Sequence, residues 1–261
     1  MPQWYLGTIG FGYKDWIGTF YPSRIKQKEL LPYYSKVFNT VELDTTFHAI
    51  PRKTIVQAWA AVTGIGFKFC PKTPRLITHE LGLTGAQGLM QEFLDSLSPL
   101  KDKLGPILIQ LPPRYTHENL PGLVNFLENM PQAYKLAIEF RHPSWYNPKT
   151  SELLAQYKVC WVSSEFPNLP KEIIPTTDFL YIRWIGVNGT YKQHTHERID
   201  KTVQLKWWLK IIQPFSDTNL PVYGFFNNDY AGNAAHTCNR FKSIVGLPVA
   251  EPQTSNQERL F

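Results

Sequence analysis

Cysteine is scarce in this chain: three residues in 261, Cys70, Cys160 and Cys238, lie far apart in apolar settings with no CxxC spacing. A disulfide framework and a thiolate metal site are both excluded on that pattern. Histidine does no better as a ligand set, because of seven residues only His194 and His196 are neighbours, and they sit in a polar stretch. No metal is assigned. Glu42, Asp44 and Glu139 leave room for a single divalent ion, not for a dedicated multi-metal site, and no cofactor is identified. The glycines that follow the first apolar run spell GTIGFG, which has the wrong spacing for a dinucleotide fingerprint, and no GxSxG occurs. No apolar run approaches the ~20 residues a membrane helix needs, and no basic segment followed by a long apolar one opens the sequence. A soluble cytoplasmic protein without a membrane partner is expected. Linkers, low-complexity tracts and internal repeats are also missing, so residues 1–248 are expected to form one domain, with 249–261 as a tail.

What the chain does contain is a regular alternation. Short apolar or β-branched runs recur at Tyr5 to Ile9, Thr40 to Leu43, Gly66 to Cys70, Ile107 to Leu111, Leu136 to Phe140, Val159 to Val162, Phe179 to Arg183 and Val222 to Phe226. Between them, stretches such as Gln27 to Phe38, Arg52 to Val62 and Asn119 to Met130 place apolar residues at helical spacing. The gap from Ser163 to Asp178 carries no such pattern. Strands alternating with helices predict an α/β layer, and eight repeats in this length predict a single closed (β/α)8 TIM barrel.

In that architecture ligands meet the carboxyl ends of the strands, so the residues closing each run are the candidate site. They are Tyr13, Glu42, Lys72, Gln110, Glu139, Arg141, His142, Arg183, Asn227, Asn228 and Asp229. The stretch LAIEFRHPSW, residues 136–145, is the most informative: the two-residue period of a strand puts Glu139 and Arg141 on one face, a costly pair to bury unless they meet. Glu42 and Glu139 are candidate acid and base, or simply neutralise neighbouring cations. Lys72 is a third catalytic candidate, though a lysine there serves more readily as an anion contact. Tyr13, Gln110, Arg141, His142, Arg183, Asn227, Asn228 and Asp229 are candidate substrate contacts. A phosphate cup is sketched by Arg183, the glycines and asparagine of residues 186–189, and Asn227 to Asp229; ordinary turn chemistry explains the same residues.

Several segments together resemble the YecE-like family, domain of unknown function 72: GTIGFGYKDWIGTFYP (7–22), FNTVELDTTFHAIP (38–51), FKFCPKTPRLITH (67–79), KLGPILIQLPP (103–113), AIEFRHPSW (137–145) and VYGFFNNDYAGNAAH (222–236). The resemblance implies a TIM-barrel fold and polar strand ends matching Glu42, Lys72, Gln110, Glu139, Arg141, Arg183 and Asn227. It implies no biochemical activity; the likeness to xylose-isomerase and endonuclease-four barrels is one of fold alone. The chain departs from the family pattern at Arg183-Trp184-Ile185-Gly186, where a histidine is usual, and at Gly10-Phe11-Gly12, where a serine-glycine-tryptophan-serine run is usual.

With a formal charge of +6, an anionic partner is expected. The favoured expectation is a hydrolase, lyase or isomerase acting on a small anionic ligand that carries phosphate or carboxylate. A nucleic-acid-processing or nucleic-acid-binding protein, and a non-catalytic metabolite-binding protein, are the alternatives.

Overall fold

A computed structural model of the chain describes residues 3–216 and 220–249; the predicted tail beyond Val249 lies outside the described residues. Eight strands occur among them: β1 (Trp4–Thr8), β2 (Thr40–Leu43), β3 (Lys68–Pro71), β4 (Ile107–Gln110), β5 (Leu136–Glu139), β6 (Val159–Glu165), β7 (Leu180–Trp184) and β8 (Val222–Phe226). Helices α1 (Leu30–Val37), α2 (Lys53–Ala61), α3 (Gln87–Leu97), α4 (Leu120–Glu128) and α5 (Pro148–Gln156) connect the first six. Helix α6 (Thr202–Ser216) precedes β8, and α7 (Asn228–Ala231) and α8 (Ala234–Ile244) follow it. The connection from β6 to β7 has no helix, as the missing periodicity predicts.

Nearly every strand residue is buried, so both faces of the strands are covered, the condition under which parallel sheets form. Side chains of alternate parity separate into two apolar layers. Ala137, Cys160, Val162, Tyr181 and Phe225 pack with one another in the inner layer. Ile138, Trp161, Ile182 and Phe226 join helix residues such as Leu123, Phe126 and Leu154 in the outer one.

The expectation of a closed (β/α)8 TIM barrel is corrected by the strand pairing. All pairs are parallel, but they form a six-stranded sheet in the order β1-β8-β7-β6-β5-β4 and a separate two-stranded sheet of β2 and β3. Side chains break the ladder at the first seam. Asn39 accepts from the Leu6 amide at 3.0 Å and donates to the Trp4 carbonyl at 2.8 Å, while the Tyr34 hydroxyl accepts from the Thr8 amide at 2.8 Å and lies 3.1 Å from the Thr40 carbonyl. Four of the backbone groups at this seam, the Trp4 and Thr40 carbonyls and the Leu6 and Thr8 amides, are thus engaged by two side chains. At the second seam Pro71 ends β3 and Pro106 precedes β4, so neither can donate to a ladder. Only isolated contacts remain, including the Gly105 amide on the Phe69 carbonyl and the Thr73 amide on the Leu108 carbonyl, both 2.8 Å.

Candidate functional site

The strands' shared direction brings their carboxyl ends to one side of the molecule, and the inward parity that places Tyr181 and Val162 in the inner layer places the next polar residues above it. Arg183, two residues beyond Tyr181 on β7, is the hub. Its Nε and Nη2 donate to Glu42 Oε2 and Oε1 at 3.0 and 2.7 Å, and its Nη1 donates to Glu139 Oε2 at 2.5 Å. Arg141 Nη2 reaches the same Glu139 oxygen at 3.0 Å, the pairing that shared strand parity predicts. Tyr181 adds a fifth bond, its hydroxyl donating to Glu42 Oε2 at 2.8 Å. Both glutamates are 0% exposed. Ion pairs this deep persist because each charge has its partners in place.

The two carboxylates are driven in opposite directions. Burial pushes Glu42 above the ordinary carboxylate range, against the pull of Arg183 and Lys72. Burial acts on Glu139 the same way, but Arg141 and Arg183 together outweigh it and hold Glu139 below that range. Glu139 Oε1 and Arg141 Nε are buried without a hydrogen-bond partner among the described residues.

Above this cluster opens a cleft of about 670 Å³, bounded by Lys72, Gln110, Arg141, Arg183, Asn227 and Asp229 among others. Lys72 extends from the end of β3 to Asp44 at 3.0 Å and lies 3.9 Å from the centroid of the Phe47 ring. Burial, and then the charge of Arg183, hold Lys72 below the ordinary lysine range, although Asp44 and Glu42 pull the other way. The Phe47 ring also meets His79 edge-on, centroids 5.0 Å apart, and burial and then Lys72 push that imidazole down to about 4. The lining of the cleft holds the cations Lys72, Arg141 and Arg183 against the carboxylates Asp44 and Asp229.

Other candidates are placed differently. Gln110 lines the cleft and donates to the Leu111 carbonyl at 3.0 Å. Tyr13 is held by its hydroxyl on the Ile9 carbonyl and packs against Trp16. His142 turns back to accept from the Ser144 amide and cap a short turn, so it is not brought to the cleft. Asn227 lines the cleft while capping α7 through a bond from the Asp229 amide. Asn228 is buried beneath, accepting from Trp16 Nε1 and the Ala234 amide. The phosphate cup does not form as sketched: Asp229 accepts the Gly189 and Tyr191 amides at 3.1 and 3.3 Å, so these loop donors already serve a carboxylate. Gly186 packs so closely on the Asp229 carbonyl that a Cβ would stand 1.7 Å from it.

Two participants escape a reading by strand ends alone. Tyr181 could have been found from its two-residue offset to Arg183. Phe166, whose ring lies 3.9 Å from Arg141 Cζ, carries no sequence signal beyond following β6. Among the described residues no group of three or more His, Cys, Asp or Glu side chains could hold a metal ion, and no helix is long and apolar enough to cross a membrane.

The profile of the family described as "Protein of unknown function DUF72" matches residues 5–259. UPF0759 protein YecE of Escherichia coli K12 is 32% identical over 142 residues, 54% of this chain; the chain thus spans half the length of that relative. UPF0759 protein YunF of Bacillus subtilis is 26% identical over 93% of the chain and 95% of its own length. Among solved structures, a DUF72 family protein from Thermotoga maritima superposes with a TM-score of 0.81 at 30% identity, covering 93% of this chain and 99% of its own. A DUF72 family protein from Enterococcus faecalis, with a TM-score of 0.74 at 22% identity over 95% of this chain and 99% of its own, shares the fold.

Proposed function

The chain belongs to the DUF72 family, and from that premise we propose that it is an enzyme moving a proton on a small anionic substrate, a lyase or isomerase in preference to a hydrolase. One observation carries this reading: Lys72 and Arg141, their side chains only 9% and 10% exposed, border the same cleft, and Lys72 is held below its ordinary range. A lysine whose charged form is disfavoured by burial gives up its proton more readily than an exposed one, which suits general acid and base work. A guanidinium anchored from below suits the recognition of carboxylate or phosphate.

Arg141 holds the anion, Gln110 orients it, and Lys72 with Asp44 exchanges the proton. Glu42 and Glu139 support this arrangement from beneath, since both are fully buried and bonded to Arg183. That position disfavours hydrolysis by a facing carboxylate pair, which needs both groups at the substrate.

The test is a screen of phosphorylated and carboxylated metabolites by thermal shift, followed by mass spectrometry of the bound compound after incubation in deuterated water. Binding that Arg141→Ala removes, with deuterium uptake that Lys72→Met removes, is the expected result. A ligand bound but never exchanged or consumed would replace the enzyme by a metabolite-binding protein. Nucleic-acid processing draws support only from the overall charge of +6, and a steep loss of oligonucleotide binding with salt would revive it.

A further inference from the structure

A second cavity, of about 420 Å³, adjoins the cleft. Phe166, Pro167, Asn168, Gly186, Val187 and Asp229 border both spaces, so the two are neighbours along a pair of shared walls. The first wall follows β6 and the second follows β7. Asn168 takes a left-handed φ of 63°, which asparagine tolerates, and turns the chain where it borders both cavities. Phe166 links them chemically, because its ring packs on the guanidinium of Arg141 and also lines the second cavity.

The two spaces differ in character. Where the cleft presents Lys72 and Arg141, the second cavity presents Tyr191, Ile199 and Tyr230, with Ile199 49% exposed and Val187 58% exposed on the shared wall. Its charges are already paired or shared. Glu165, at the end of β6, accepts from Lys171 at 3.0 Å, Trp208 Nε1 at 2.7 Å and the Tyr230 hydroxyl at 2.8 Å. Lys201 lies 4.9 Å from the Tyr230 ring centroid. Surface of this composition, apolar and aromatic with satisfied polar groups, suits an uncharged ring more than a second anion.

We propose that the substrate is a two-part molecule, a phosphate or carboxylate head joined to an uncharged ring, with the head at Lys72 and Arg141 and the ring in the cavity beside Phe166, Tyr191 and Ile199. This rests on the anion site proposed above and adds to it the class of the substrate body.

Phenyl phosphate and inorganic phosphate are the probes, titrated calorimetrically into the full chain. Phenyl phosphate binds about tenfold more tightly or better, the gain expected from burying one ring. Ile199→Trp, which fills the second cavity from its exposed rim, and Tyr191→Ala, which removes an aromatic wall, each bring the ratio of the two affinities toward one. Lys72→Met weakens both probes and preserves their ratio. Equal affinities in the unmodified protein, or a ratio that neither cavity variant changes, overturn the two-part substrate and leave the anion site standing. If neither probe binds, the anion site falls and the inference falls with it.

Discussion

Arg183 and Glu42 form a two-bond fork, at 3.0 and 2.7 Å, between strands that belong to different sheets. The fork ties the two-stranded sheet to the six-stranded one from inside, and the bond from Arg183 to Glu139 extends the tie to β5.

Removing the hub should therefore cost far more than a surface ion pair. Arg183→Met leaves Glu42 buried with the Tyr181 hydroxyl as its remaining hydrogen-bond donor, and the loss of one partner from a buried ion cluster costs about 3–5 kcal/mol. Urea denaturation measures this; a change within the error of the unmodified protein would show that the cluster contributes nothing net.

Arg141→Ala should behave differently, because Glu139 keeps its bond to Arg183. The variant should retain its circular dichroism spectrum and lose phosphate or carboxylate binding by about tenfold or more, in line with one charge-assisted hydrogen bond of roughly 1.5–3 kcal/mol. Gross unfolding would assign Arg141 to the structure instead of to the ligand.

The pH dependence has a defined sign. Glu139 ionises more readily folded than at its ordinary value of 4.5, so its contribution is present above 4.5 and is lost as pH falls through the depressed folded value. Glu42, shifted upward, acts in the opposite sense, which makes a single-site comparison necessary. The difference in unfolding free energy between the unmodified protein and Glu139→Gln should shrink as pH drops below 4.5. A difference that stays constant through this window would contradict the assignment.

At the seam between β1 and β2, Tyr34→Phe deletes the hydroxyl that accepts from the Thr8 amide. A buried donor left without a partner costs about 1–3 kcal/mol. Hydrogen exchange at the Thr8 amide should accelerate by more than the global loss of stability explains, and an unchanged rate would mean that another acceptor takes over.

Much of this architecture is legible in the residues. Apolar runs locate all eight strands, with shifts of a few residues at ends such as Gly66 against Lys68, because glycine breaks the run without changing its hydropathy. Parity alone joins Glu139 to Arg141. The open seams are less visible: Pro71 and Pro106 announce missing donors, but nothing in a linear pattern shows that Tyr34 and Asn39 complete the backbone of a strand about thirty residues earlier. The burial of Glu42 and Glu139 is hidden for the same reason. Their common partner comes from β7, and only the folded chain reveals that both carboxylates are occupied. Asp229 likewise reads as a candidate substrate contact at the strand end, and only the fold shows that it accepts the Gly189 and Tyr191 amides and so fastens the loop that lines the cleft.

The helix-free connection from β6 to β7 contributes the first wall of the second cavity. Elsewhere, lengthening a connection between strands would displace a helix whose apolar face is packed on the sheet. Here a graft of different length or chemistry at residues 167–171 would leave the strand framework, the Arg183 hub and the Phe166 ring on Arg141 in place. On the proposed reading, the same scaffold exchanges one ligand body for another while keeping its grip on the anionic head.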